Sequence, residues 1–280
     1  MDIQRVAVIG AGTMGNGIAQ VCAMAGYHVD LIDEVPAQLE RARDSIHSSL
    51  ARLEKSGKLT PDSAAAASSH ITTSADLAPI AQVDLVIEAV FENLQVKQEI
   101  FKKLDQLCRP GCVLGSNTSS LPITALGAAT GRPQSVAGIH FMNPVPVIKG
   151  VEIVQGLQTS DETVEIIRKF VTSIGKVPTV AKDYAGFITS RLLNVYLNEA
   201  AYAVMDGNKP EEVDSAMVHC TNMPIGPCKL LDMVGIDVVV RVLGILEQEF
   251  GPRFKCAPLL KQMERAGRLG MKTKRGFYDY

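Results

Sequence analysis

The sequence predicts an α/β fold: an open, mostly parallel sheet interrupted by an inserted helical hairpin, followed by an all-α C-terminal domain. Three observations carry this. Short apolar runs at 5–9, 28–32, 83–87 and 113–115 alternate with stretches of helical spacing. A glycine-rich turn follows the first run at once, and strand signals stop near residue 183. The 280 residues leave room for two domains, here 1–183 and 184–280, and 46% hydrophobic with 21% charged content excludes a disordered chain.

The first unit opens with Arg5-Val6-Ala7-Val8-Ile9, which has the character of a central parallel strand. It runs into Gly10-Ala11-Gly12-Thr13-Met14-Gly15, after which Ile18, Val21, Cys22 and Ala25 recur at helical spacing until Gly26. A second strand, 28–32, ends at Asp33. Strand, Gly-x-Gly-x-x-Gly, helix, strand and acid make a Rossmann-type dinucleotide unit. Gly10 permits the tight turn, Gly12 lets backbone approach a pyrophosphate, and Gly15 lets helix and strand pack closely. Asp33 is placed to accept from ribose hydroxyls, and Glu34 beside it repels a 2′-phosphate, so the expected cofactor is NAD rather than NADP.

From 36 to 67 helical spacing replaces the strand pattern, with Leu39, Ala42 or Arg43, Ile46, Leu50 and Leu53 on one face. Gly57 ends this run, and Thr60-Pro61 reads as a new N-cap with proline at the first helical position. On the hairpin, Ser48, Arg52 and Lys55 share a face, with Ser49 and Lys58 nearby. These donors suit a phosphorylated ligand, and they equally suit a solvated polar face. The alternation then resumes through strands at 71–73, 83–87 and 113–115 and a helix at 94–107. Glu88, Glu92, Asn117 and Ser119 fall at or just after strand ends, where open parallel sheets bind ligands, although Ser and Asn also serve as turn caps.

The stretch Gly138 to Glu152 places one histidine and one carboxylate in apolar, strand-like sequence, with Pro144 and Pro146 turning the chain between two short strands. An ionised carboxylate there needs a partner, and His140 is the candidate for Glu152. A histidine held by a carboxylate is a general base. The alternative is a core histidine beside an unrelated glutamate. A helix near 161–174 and a strand at 177–180 complete the unit, and helical patterns at 188–205, 211–219 and 236–250 form the second. An apolar helical domain of this kind is more easily explained by subunit burial than by free surface, which predicts a homodimer through it.

Net charge is −2, and no basic stripe with interleaved aromatics occurs, so neither nucleic acid nor an anionic membrane is an expected partner. Six cysteines without a Cys-x-x-Cys pair suggest no metal site and no disulfide framework. With the first strand starting within five residues of Met1 and no apolar run of membrane-spanning length, the expected location is cytoplasmic.

These motifs together resemble the L-3-hydroxyacyl-CoA dehydrogenase family. The likeness spans the chain: the glycine turn, Glu88-Ala89-Val90-Phe91-Glu92-Asn93-Leu94, Ser116-Asn117-Thr118-Ser119-Ser120, His140-Phe141-Met142-Asn143-Pro144-Val145-Pro146, Pro224-Ile225-Gly226-Pro227, and the tail Lys272-Thr273 with Gly276-Phe277-Tyr278. The resemblance implies NAD-dependent interconversion of a short-chain 3-hydroxyacyl-CoA and its 3-ketoacyl-CoA. It implies His140 as base, Glu152 as its partner, and Ser119 and Asn143 on substrate and nicotinamide. It also implies Glu92, Lys97 and Lys272 as NAD contacts and Ser49, with Lys55 one position from the family lysine, as acyl-CoA contacts. Two positions depart from the family pattern. Ser190 stands where the family usually has asparagine, and Lys274 where it commonly has glycine. Dehydrogenases of carnitine or sugar acids share the NAD domain and the histidine chemistry without CoA. A bulk structural role, as in a related lens crystallin, does not account for an intact glycine loop, His140 and Glu152.

Overall fold

Arg5–Ile9 (β1), buried from Val6 onward, lies in the interior of an eight-stranded sheet in the computed structural model, which describes residues 3–280. Thr13–Met24 (α1) buries Ile18, Ala19, Val21 and Cys22 and ends at Gly26, whose φ of +92° suits glycine. His28–Ile32 (β2) then pairs parallel to β1. Pro36–Lys55 (α2) and Pro61–Ser69 (α3) form the inserted hairpin. Leu39, Ala42, Ile46 and Leu50 are the buried face of α2, which packs on α1 and α3. Thr60 caps α3 by accepting from the Ser63 amide at 3.1 Å.

Ile71–Ser74 (β3) joins the far side of β2. The expected strand at 83–87 starts later, at Leu85–Glu88 (β4), because 78–82 form a 3₁₀ turn and Asp84 faces the amides of Gln4 and Arg5. Leu94–Leu107 (α4) is capped by Asn93, which accepts from Val96 N. Val113–Ser116 (β5), Ile123–Gly127 (α5) and Val136–Phe141 (β6) follow, with every residue of β6 buried. Gly150–Gln155 (β7) pairs antiparallel to β6. Asp161–Ser173 (α6), capped by Ser160, leads to Val177–Lys182 (β8), parallel to β7. The strand order is β3-β2-β1-β4-β5-β6-β7-β8. The order reverses between β1 and β4, which is the ligand position of doubly wound sheets. The chain divides into two compact units, Met1–Asp183 and Tyr184–Tyr280.

The second unit is helical, with Thr189–Met205 (α7), Pro210–Thr221 (α8), Pro227–Val234 (α9), Ile236–Phe250 (α10) and Pro258–Arg265 (α11). Two of these, α9 and α11, are additional to the expected three. Leu197, Leu231, Val239, Leu243 and Leu260 form its core. Asp214 accepts from the Cys228 and Lys229 amides and so satisfies the N-terminus of α9. That explains Gly226, where a Cβ would lie 2.3 Å from Asp214. Asp232, buried, accepts from Phe277 N, Tyr278 N and the Tyr280 hydroxyl, tying the C-terminal tail to α9. The turn before it is made with Lys274 left-handed, at φ +56°.

Candidate active site

The glycine turn is built by steric demand. Gly10 has φ +99° and donates to the Ile32 carbonyl at 2.7 Å, closing the turn on β2. A Cβ on Gly15 would stand 1.7 Å from the Gly10 carbonyl oxygen, so only glycine lets α1 start this close to β1. Gly12 differs: no heavy atom lies within 4 Å of where its Cβ would be. This open space sits at the N-cap of α1, whose first turn holds no acidic residue and begins with exposed Thr13 and half-buried Met14. Unpaired amides and the helix dipole make that end favourable for an anion. Asp33, after β2, accepts from Ala11 N at 2.8 Å through one oxygen and from Val35 N at 2.9 Å through the other. It therefore braces the glycine turn. The cradle suits the pyrophosphate and ribose of NAD.

Beside this cradle the ends of β4 and β5 carry a buried charge network. Glu88, with no exposed surface, accepts from Val90 N at 2.7 Å, Lys97 Nζ at 2.6 Å and Ser116 Oγ at 2.7 Å. Three donors offset the burial of its charge. Lys97 also donates to the Val90 carbonyl and lies 3.5 Å from Glu92 Oε2. Lys97 was expected as a direct cofactor contact. With 1% of its surface exposed it stands in this structure as counter-ion to two carboxylates. Glu92 Oε1 accepts from the Thr118 hydroxyl, Ser119 N and the Ser120 hydroxyl, gathering the turn after β5.

His140 and Glu152 are direct partners in the β6–β7 ladder, and His140 Nδ1 lies 2.9 Å from Glu152 Oε2. Both are buried, at 5% and 3% exposure, so the pairing is held away from bulk solvent. Asn117 accepts from Phe141 N at 2.8 Å through its side-chain oxygen, fastening the end of β6 to the turn after β5. Asn143 is exposed just beyond, before a cis peptide to Pro144. The following turn is anchored by Lys176, whose ammonium donates to the carbonyls of Val145 at 2.5 Å and Ile148 at 2.6 Å. Burial pushes the Lys176 pKa down. Lys176 gave no sequence signal, because its partners are backbone carbonyls 31 and 28 positions away.

The first unit thus brings together the glycine turn, Asp33, Glu88, Glu92, Asn117, Ser119, His140 and Glu152 around the strand ends. Ser49, half-buried, and Lys55, exposed, lie on α2, away from that group. In the second unit, Lys272 forms an ion pair with Asp237, and the Ser190 carbonyl accepts from Asn194 Nδ2 at 2.7 Å.

Comparison with known proteins gives this arrangement a family. Residues 5–184 match the profile of the 3-hydroxyacyl-CoA dehydrogenase NAD binding domain, and 186–280 match the C-terminal domain of the same family. The chain belongs to the 3-hydroxyacyl-CoA dehydrogenase family. It is 44% identical to a probable 3-hydroxybutyryl-CoA dehydrogenase of Deinococcus radiodurans, covering 99% of this chain and 100% of that one. It is 40% identical to the mitochondrial hydroxyacyl-coenzyme A dehydrogenase of Sus scrofa, covering 99% and 91%. Among solved structures, the (S)-3-hydroxybutyryl-CoA dehydrogenase of Ralstonia eutropha superposes with a TM-score of 0.96 at 41% identity, covering 100% of this chain and 99% of that one. The 3-hydroxyacyl-CoA dehydrogenase described here is therefore an NAD-dependent oxidoreductase, and the cradle at Gly10 to Gly15 with Asp33 is where its residues fit the cofactor.

Proposed function

We propose that this dehydrogenase interconverts L-3-hydroxybutyryl-CoA and acetoacetyl-CoA, with His140 and Glu152 as its acid–base pair. The observation that carries the chemistry is the buried 2.9 Å contact between His140 Nδ1 and Glu152 Oε2. When Nδ1–H is donated to Glu152, the lone pair lies on Nε2 and can take the proton of the 3-hydroxyl. Glu152 then stabilises the imidazolium that forms. In reduction, the same Nε2–H returns the proton to the ketone oxygen. NAD, when bound, would accept the hydride that leaves C3, while this chain's own groups orient the reactants and carry the hydroxyl proton. Ser119 and Asn143 fix the hydroxyl and thioester. Ser49 and Lys55 offer donors to the CoA phosphates, and Glu92, Lys97 and Lys272 support the cofactor.

The four-carbon acyl group is favoured by the names of the relatives at 40–44% identity. Steady-state assays with acetoacetyl-CoA, longer 3-ketoacyl-CoAs and a free 3-keto acid, each with NADH and NADPH, test the reading. Turnover of the free acid without any thioester activity would overturn it. We place the enzyme in the cytoplasm as a homodimer. No described helix is long and apolar enough to cross a membrane. Leu192 and Val195 on α7 are exposed apolar side chains, which suits a covered subunit face. A monomeric mass by light scattering would contradict the dimer.

A further inference from the structure

We propose that Glu88 is a positioning residue for the reaction, fixing through Lys97 and Ser116 the turn that presents Ser119. This rests on the reading that Ser119 contacts substrate. A carboxylate with no exposed surface at the end of an apolar strand contributes little to stability for its own sake. Buried ion pairs are commonly replaced by apolar groups at no loss. Its geometry points outward along two routes instead. By the first, Lys97, 2.6 Å from Glu88 Oε1, also faces Glu92, and Glu92 accepts from Ser119 N at 3.2 Å. By the second, Ser116 Oγ donates to Glu88 Oε2 and accepts from Thr118 N at 3.2 Å.

Both routes converge on the same turn, and Ser119 enters the network through its backbone N–H. Its hydroxyl is thus left for a ligand while its backbone is held. The Glu88 backbone acts in the same place, since its carbonyl accepts from Asn117 N at 2.7 Å. A short, fully bonded chain of this kind holds a substrate-facing hydroxyl with little side-chain freedom, and misplacing such a group by an ångström costs rate rather than fold.

The test is a double-mutant cycle on the full-length enzyme with acetoacetyl-CoA and NADH, using Glu88→Gln, Ser119→Ala and the combination. If Glu88 acts through Ser119, Glu88→Gln lowers kcat/KM roughly 10- to 100-fold in the wild-type background and by under roughly 3-fold once Ser119 is alanine. A purely structural role would lower the melting temperature and give losses that multiply. That result, or an unchanged kcat/KM for Glu88→Gln, overturns the proposal while leaving Ser119 in place. Wild-type kcat/KM in Ser119→Ala overturns the Ser119 reading and the proposal with it. Should Glu88→Gln not fold, Ser116→Ala cuts the second route without altering any charge. The same cycle then expects a roughly 3- to 10-fold loss that vanishes in the Ser119→Ala background.

Discussion

His140 and Glu152 face each other across the β6–β7 ladder, so strand register as well as side-chain rotamer sets the 2.9 Å between Nδ1 and Oε2. A slip of one residue would send them to opposite faces of the sheet. His140→Gln is expected to lower kcat by roughly 10²-fold or more, and Glu152→Gln by at least roughly 10-fold, with NADH affinity unchanged in both. Stopped-flow turnover and NADH fluorescence titration read the two quantities separately. Near-normal turnover of His140→Gln would remove histidine from the mechanism.

The glycine turn predicts opposite outcomes for two similar changes. Gly15→Ala drives a methyl into the Gly10 carbonyl and should destabilise the protein by about 3 kcal/mol or more. Gly12→Ala meets no protein atom and keeps an ordinary φ of −67°, so its melting temperature should stay near wild type. Its KM for NAD should rise at least roughly 10-fold, because the methyl enters the space a pyrophosphate needs. Equal loss of stability in both variants would contradict the assignment.

Lys274 stands left-handed in the tail turn at φ +56°, a conformation costing a non-glycine residue about 1 kcal/mol. Lys274→Gly removes that strain and loses part of the gain to unfolded-state entropy. Thermal denaturation should show a net stabilisation of about 0.5 kcal/mol, and a lower melting temperature would argue that the lysine side chain holds the turn.

Burial pushes the Asp84 carboxyl up, but the amides of Arg5 and Gln4 and the Arg109 guanidinium outweigh it and hold the pKa below the usual carboxylate value. With the folded pKa below the unfolded one, this stabilisation is complete above the unfolded value and is lost as pH falls through the folded value. Asp84→Asn should cost about 1–3 kcal/mol at pH 7. Urea denaturation should show that difference shrinking below about pH 4, and a gap constant down to pH 2 would refute the linkage.

Thiol reactivity follows how deeply each cysteine is packed. Burial pushes Cys22 up to about 12 and Cys256 up to about 11, and raises Cys228 as well. A hydrogen bond with the Cys112 thiol lowers Cys108, which is itself buried. Cys220 is exposed. A disulfide reagent should therefore titrate one thiol quickly in the native enzyme, and Cys220→Ser should abolish that phase.

Much of the first unit was legible because its signals are local. A glycine that must clear a carbonyl and an acid that ends a strand leave their mark within a few residues, as Gly15 and Asp33 do. The late start of β4 was not legible, since it depends on Asp84 meeting amides from the other end of the unit. Nor were α9 and α11, eight residues each, too short for helical periodicity to stand out. At the site, the residue types at 140 and 152 were readable. Their pairing was readable too, because an ionised carboxylate in an apolar strand needs a partner, whereas the direction of β7 against β6 was not, since periodicity carries no strand sense.

The reversal of β7 has a consequence for how the site can change over time. Because it runs against β6, His140 and Glu152 sit only 12 positions apart and share one contiguous segment with Asn143. Loops elsewhere in the chain can lengthen, shorten or be exchanged without separating these two side chains. The β6–β7 segment is in effect a cassette, and recombination that moves it carries the His140–Glu152 contact whole.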